Sequence, residues 1–142
     1  MRLHIITVGK PKLAYARAGW EEYFPRLARY HQLRATHIPD KRRGPEALLA
    51  AAGKSCKVAL VVDGAPLSSP ELARFLDQRA LEGREVSFLV GGPEGLPADV
   101  AAACAHRWSL SRLTLPHDLA MVVLLESLYR ASTIQRNHPY HK

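Results

Sequence analysis

Two stretches, "KVALVVDG" (57–64) and "EVSFLVGG" (85–92), constrain what this chain can fold into more than any other part of it. Both are short, nearly unbroken apolar runs that end in glycine. They lack the in–out alternation of a strand with one wet face, so they predict strands covered on both faces, as in a parallel sheet flanked by helices. Further strands are expected at "RLHIITV" (2–8), "LRATHI" (33–38) and "RWSLS" (107–111). Between them, helical patterns cover 15–30 (with Pro25 interrupting or kinking it), a short Ala-rich piece to Ala52, 68–83, 97–105 and about 118–136. The third of these is well marked. Ser68 or Ser69 can accept from first-turn N–H groups, Pro70 fits the first helical position, Glu71 suits the positive end and Gly83 the stop. Strand–helix alternation at this spacing argues one doubly wound α/β domain over residues 1–142, without linker or repeat.

A chain of 142 residues, 47% of them hydrophobic, can build a core without disulfide or metal staples. Its longest apolar run, Leu119 to Leu125, is too short to span a bilayer, and "MRLHIITVGK" has no signal-peptide pattern, so a soluble, cytoplasmic protein with no membrane partner is expected. Cys56 and Cys104 stand far apart without ligand spacing and read as reduced structural thiols. The net charge of +7 is uneven: residues 1–44 hold ten of the 20 Lys/Arg but only three of the 13 Asp/Glu. That excess, with Lys41, Arg42 and Arg43 adjacent, suggests an anionic partner such as nucleic acid, against the plainer reading of a solvated face.

The last helix stands out. "LAMVVLLESLYRA" is apolar nearly all the way round over its first two turns, which argues for a homodimer interface, with a central core helix in a monomer as the alternative. Glu126 and Arg130 are spaced to pair on its surface.

Signatures of P-loop NTPases, dinucleotide enzymes, zincins and serine hydrolases are absent, and His138 with His141 offers two metal ligands but no third, so no metal is expected. What remains is "LVGGPEGLP" (89–97), glycines and prolines just past a buried strand, where ligands bind in open parallel sheets. A second loop, "SLSRLTLPH" (109–117), also follows a strand, and its backbone groups and leucines suit a flat apolar moiety such as adenine.

"LVGGPEGL", "WSLSRLTLPH", "LLESLYRA" and the terminal "NHPYHK", in this order, closely resemble the SPOUT (α/β-knot) methyltransferases, and within them the ribosomal RNA large subunit methyltransferase H family. The resemblance covers essentially the whole chain. It implies a single-domain parallel-sheet α/β fold with a C-terminal trefoil knot, a homodimer, and S-adenosylmethionine as methyl donor. The reaction it implies is methylation of N3 of a pseudouridine in 23S rRNA, on the assembled ribosome. Carried over residue by residue, cofactor contacts fall on Leu60, Gly91, Leu110, Ser111, Arg112, Leu113, Thr114 and Leu115.

In such a family the C-terminal tail lies near the methyl donor. Methylating a uracil-type N3 requires loss of its proton, so a base or a stabiliser of the anion is needed. His117, Tyr140, His141 and Lys142 are the expected catalytic residues: imidazoles to take a proton, the phenol to stack on or bond the base, the ammonium to hold a phosphate or offset charge. His138 and Pro139 read as caps of the last helix. The sequence leaves the identity of the base open. RNA contacts at Lys41, Arg42 and Arg43 rest on charge alone. Two rivals stand beside this reading: an RNA-binding protein of the ribosome without catalysis, and the same fold aimed at a different base.

Overall fold

A computed structural model describes residues 1–42 and 44–142. Five strands, β1 (Arg2–Val8), β2 (Gln32–Ile38), β3 (Cys56–Pro66), β4 (Val86–Val90) and β5 (His106–Ser109), form one sheet in the order β2-β1-β4-β3-β5. Every pairing is parallel. Helices α1 (Ala14–Ala28), α3 (Ser69–Glu82) and α5 (His117–Gln135) cover one face; α2 (Pro45–Ala52) and α4 (Ala98–Ala102) cover the other. Strand alternation builds both layers. Leu3, Ile5, Phe88 and Val90 point toward α1, α3 and α5, while Ile6, Val8 and Leu89 point toward α2 and α4. All five residues of β4, the second of the two apolar runs, are buried.

The other run, in β3, departs from expectation. Leu60 pairs with Trp108, and so does Ala65, so residues 61–64 leave the ladder as an excursion before pairing resumes at Ala65 and continues at Pro66. Val62 is half exposed there, so only the first part of β3 is covered on both faces. Gly64 makes the return possible, because a Cβ on it would lie 2.7 Å from the backbone carbon of Trp108.

Helix α1 runs through Pro25 without interruption. The exposed proline has the fully buried Leu27 and the half-buried Trp20, Tyr23 and Phe24 around it, and their packing outweighs the missing hydrogen bond. Helix α3 starts in a full capping box: the Glu71 N–H donates to the Ser68 hydroxyl at 3.2 Å and the Ser68 N–H to Glu71 at 3.0 Å. It stops at Gly83 in the left-handed region.

Helix α5 lies between α1 and α3, and each of its residues is buried or half-buried within one chain. Gly19 lets α1 come close, since a Cβ there would meet Val122 at 2.8 Å. The apolar character of α5 is therefore satisfied by its own chain as a central core helix, and by itself does not call for a second copy. Its end is a Schellman closure: Asn137 takes φ of 55°, and the N–H of His138 reaches the carbonyl of Thr133 at 2.9 Å. Among the described residues, no helix is long and apolar enough to cross a membrane.

Candidate active site

Because all strands are parallel, the connections that follow them gather at one edge of the sheet. There they enclose a cavity of about 860 Å³, within the range of small-molecule sites. Leu60 and the excursion residues Val61 and Val62 form one wall, and Gly91, Gly92 and Leu96 another. Leu110, Ser111, Leu113, Thr114 and Leu115 close a third side, and Lys12, Leu13, His117 and Asp118 form the rim. Seven of the eight expected cofactor residues thus meet around one space. Arg112 does not line it: its neighbours do, while it is exposed to solvent.

The glycine loop owes its shape to steric limits. The Gly95 N–H bonds the Gly92 carbonyl at 2.9 Å, closing a tight turn over Gly91, and a Cβ on Gly91 would lie 2.3 Å from the Gly95 carbonyl carbon. No other residue fits beneath that turn. The second loop is turned by its serines: Ser109 donates to the Ser111 carbonyl at 2.6 Å, and the Leu113 N–H donates to the Ser111 hydroxyl at 3.0 Å. This leaves Leu113 largely exposed at the mouth. Leucines beside backbone donors and acceptors suit an adenine-like ring and the chain attached to it, so the residues present fit a nucleoside-type methyl donor.

His117 sits at the rim, but its ring is already engaged. Nε2 lies 2.6 Å from the Val8 carbonyl oxygen and Nδ1 3.0 Å from Oδ1 of Asp118. Both partners are acceptors, so both ring nitrogens are taken up by contacts within the protein, and the ring links the end of β1 to the start of α5. Burial acts to raise the Asp118 carboxyl, but the N–H groups of Leu13 and Lys12 and the His117 imidazole together hold it below its ordinary value. Asp118, which sequence reading passed over, takes part in more rim contacts than any residue it picked. Nothing in "LPHD" signals this, because its backbone partners belong to Lys12 and Leu13.

The tail lies elsewhere. Tyr140 packs edge-on against Tyr129, with its hydroxyl 3.3 Å from Glu126, and Arg130 donates to Nδ1 of His141 at 3.2 Å. These contacts lie from the middle of α5 onward, about 14–20 Å along the helix from His117 at 1.5 Å per residue. Neither Tyr140, His141 nor Lys142 lines the cavity of its own chain. Burial first, with Tyr23 and Glu126 adding to it, pushes the Tyr140 phenol up to about 12, so it is a neutral donor at physiological pH.

Lys41 and Arg42 are exposed in a 3-10 turn (Asp40–Arg42). An ion pair between Lys12 and Asp40 at 3.6 Å sets that turn beside the rim. Arg43 lies outside the described residues. Among the described residues, no group of three side chains comes together in a way that could hold a metal ion.

The profile of a family described as "Predicted SPOUT methyltransferase" matches residues 1–141. The chain belongs to the SPOUT methyltransferase family. This SPOUT methyltransferase is similar to the ribosomal RNA large subunit methyltransferase H of Deinococcus deserti, at 51% identity over 145 aligned positions that cover 100% of both chains. It is also similar to the protein of that name from Deinococcus radiodurans, at 50% identity, covering 100% of this chain and 99% of that one. Among solved structures it is similar to TrmJ from Z. mobilis (TM-score 0.55, 16% identity, 94% of this chain and 70% of that one). A probable methylase family protein from Haemophilus influenzae is another (TM-score 0.59, 11% identity, 99% and 70%). At those identities the last two speak to fold alone. They share the α/β fold of this SPOUT methyltransferase.

Proposed function

We propose that this chain transfers a methyl group from S-adenosylmethionine to N3 of a pseudouridine in 23S rRNA, on the assembled ribosome and as a cytoplasmic homodimer. The observation that carries the reading is the convergence of Leu60, Gly91 and the 110–115 loop on one cavity, in a chain about half identical to large subunit methyltransferases H along its whole length. In this reading the leucines and backbone groups of those loops hold the cofactor, which supplies an electrophilic methyl group. The C-terminal trefoil knot, made where these loops cross, belongs to the same proposal.

The residues of the chain then have separable tasks. Lys41 and Arg42, beside the rim, hold rRNA phosphates, together with Arg43. Tyr140, kept as a phenol, stacks on or donates to the target base. His141 takes the N3 proton, and Lys142 offsets negative charge as the N–H bond breaks. Because Arg130 donates to His141 Nδ1, that nitrogen becomes free only when the tail leaves its perch on α5. A tail held roughly 9–15 Å along α5 from Ala120, the last residue that lines its own cavity, is better placed to serve a second copy, which is what supports the homodimer. The exposed apolar side chains Leu13, Tyr15, Val62 and Leu113, the first and last two at the cavity, offer such a copy a surface.

The test is incorporation of isotopically labelled methyl from S-adenosylmethionine into ribosomes lacking the modification, with the labelled nucleotide mapped. Label on N3 of a 23S pseudouridine supports the whole reading. Label on another base keeps the enzyme and changes the target. No binding and no label on any ribosomal particle leaves the non-catalytic RNA-binding rival.

A further inference from the structure

Helix α1 begins at Ala14 with Leu13 in the capping position, and neither Leu13 nor a neighbour in sequence caps it with a side chain. Helix starts leave backbone N–H groups without intrahelical acceptors. Here the acceptor comes from the other end of the chain. Oδ2 of Asp118 receives the N–H groups of Lys12 at 2.8 Å and Leu13 at 2.6 Å. Oδ1 faces Nδ1 of His117 at 3.0 Å, and the far nitrogen of that ring reaches the carbonyl of Val8, the last residue of β1. Asp118 is 6% exposed, so these contacts replace nearly all of its hydration. What they hold is a cavity wall, since Lys12 and Leu13 line the cavity but are themselves exposed. Apart from Asp118 and His117, the loop between β1 and α1 is tied by the Gly9 N–H to the Ile38 carbonyl, by the Thr7 hydroxyl to the Gly9 carbonyl, by Arg17 to the Lys12 carbonyl and by the solvent-exposed ion pair of Lys12 with Asp40, none of which is a buried contact to α5.

We infer that Asp118 and His117 are positioning residues of the methyl-transfer site: they bolt the β1–α1 loop to the start of α5, so that walls from opposite ends of the chain form one rigid rim. The consequence for catalysis rests on the proposed reading of the cavity as the methyl-donor site, while the clamp itself does not. It goes beyond that reading by assigning the rim its holder, and it replaces proton transfer by His117 with orientation.

The experiment uses the full chain, with calorimetry of S-adenosylmethionine binding, steady-state transfer and hydrogen exchange at the amides of Lys12 and Leu13. Asp118→Ala is expected to speed exchange at both amides and weaken cofactor binding about tenfold or more, as for a lost buried charge-assisted hydrogen bond. The kinetic loss falls mainly on the cofactor KM rather than kcat. Asp118→Asn is the rescue: its carbonyl still accepts the backbone N–H groups, and its amide can donate to Nδ1 of a neutral His117, so most of the lost affinity returns. His117→Phe should repeat the Asp118→Ala effect, and the double variant should be little worse than either single one. Unchanged exchange at Lys12 and Leu13 in Asp118→Ala overturns the inference. So does a His117→Phe protein that binds cofactor normally but loses kcat together with one limb of the pH–rate profile, because that marks a proton acceptor. Faster exchange in Asp118→Ala, in a chain whose wild type does not bind S-adenosylmethionine, sustains the clamp and rejects the cofactor reading instead.

Discussion

Arg130 grips both carboxylate oxygens of Glu126 from one turn farther along α5, at 3.1 to 3.3 Å, and the C-terminal tail closes over this pair. The guanidinium also lies 4.8 Å from the centre of the Tyr140 ring, so one side chain holds the carboxylate, the phenol and the His141 imidazole. A planar fork can do this and an ammonium cannot. Arg130→Lys should therefore behave like Arg130→Ala. Both should lower methyl transfer at least tenfold while leaving S-adenosylmethionine affinity within about twofold. Parallel calorimetry and label-incorporation assays separate the two quantities, and a normal rate in Arg130→Lys would remove the guanidinium geometry from the mechanism.

Truncation after Asn137 removes Tyr140, His141 and Lys142, as well as the His138 N–H that closes α5. Cofactor binding should survive, because no residue past Ala120 lines the cavity, and transfer should fall to background. Full activity in the truncated chain would take the tail out of catalysis.

Gly91→Ala places a methyl carbon 2.3 Å from the Gly95 carbonyl carbon, a contact that only movement of the 92–95 turn can relieve. A cost of about 1–3 kcal/mol in stability is expected, as for overpacking. Loss of cofactor affinity should exceed the loss of melting temperature, because the turn is a cavity wall. A scanning melt with and without S-adenosylmethionine checks both.

His31 bonds Ser132 through Nε2 at 2.7 Å, and its Nδ1 has no hydrogen-bond partner among the described residues. Burial, aided by the positive N-terminus and Arg136, lowers its pKa from 6.5 to about 4. Between those values the unfolded chain binds a proton that the folded chain refuses. The contribution to stability is therefore complete above about pH 6.5, declines as pH falls, and levels off near 4. His31→Gln should flatten melting temperature against pH across this window. The acid loss belonging to Asp118, whose carboxyl is depressed, begins only below the ordinary carboxylate range and should persist in that variant.

Tyr15 is half exposed on the first turn of α1, and Ala14 and Ala18 beside it are exposed too. If this face meets a second copy, Tyr15→Glu should yield a monomer by sedimentation velocity, with methyl transfer falling alongside and the melting temperature nearly unchanged. A dimer that persists would move the interface elsewhere.

Features of this molecule that arise from neighbours in sequence could be read before any coordinates. The capping box of α3 lies within four residues, and the buried strand β4 announces itself in "EVSFLVGG". Loops at the ends of parallel strands follow from the strand pattern, while the set of Leu60, Gly91, Leu110, Ser111, Leu113, Thr114 and Leu115 that meets at the cavity came from the family resemblance. Features that depend on distant partners could not be read. The excursion in β3 exists because Trp108 pairs twice, and "KVALVVDG" carries no mark of it. In sequence Asp118 marks only the approximate start of the last helix, whereas its carboxylate accepts from amides 105 and 106 residues away. Helix α5 read as too apolar for one chain because its two flanking helices, and the glycine that lets one of them approach, are not visible in its own pattern. The tail's residue types suggested catalysis through their chemistry alone; their separation from the cavity is a property of helix length.

The place of α5 in its layer also bears on how the protein comes into being. Helix α5, which follows every other described element in chain order, is the middle element of the layer, seated between α1 and α3. Until it arrives, the nascent sheet carries an uncovered apolar slot lined by Leu3, Ile5 and Phe88, with α1 and α3 standing apart on either side. Contacts between segments this far apart form slowly, and exposed apolar surface invites association in the interval. Maturation of this enzyme should therefore be limited by docking of α5 into that slot, and chaperones that shield an open groove should raise its yield.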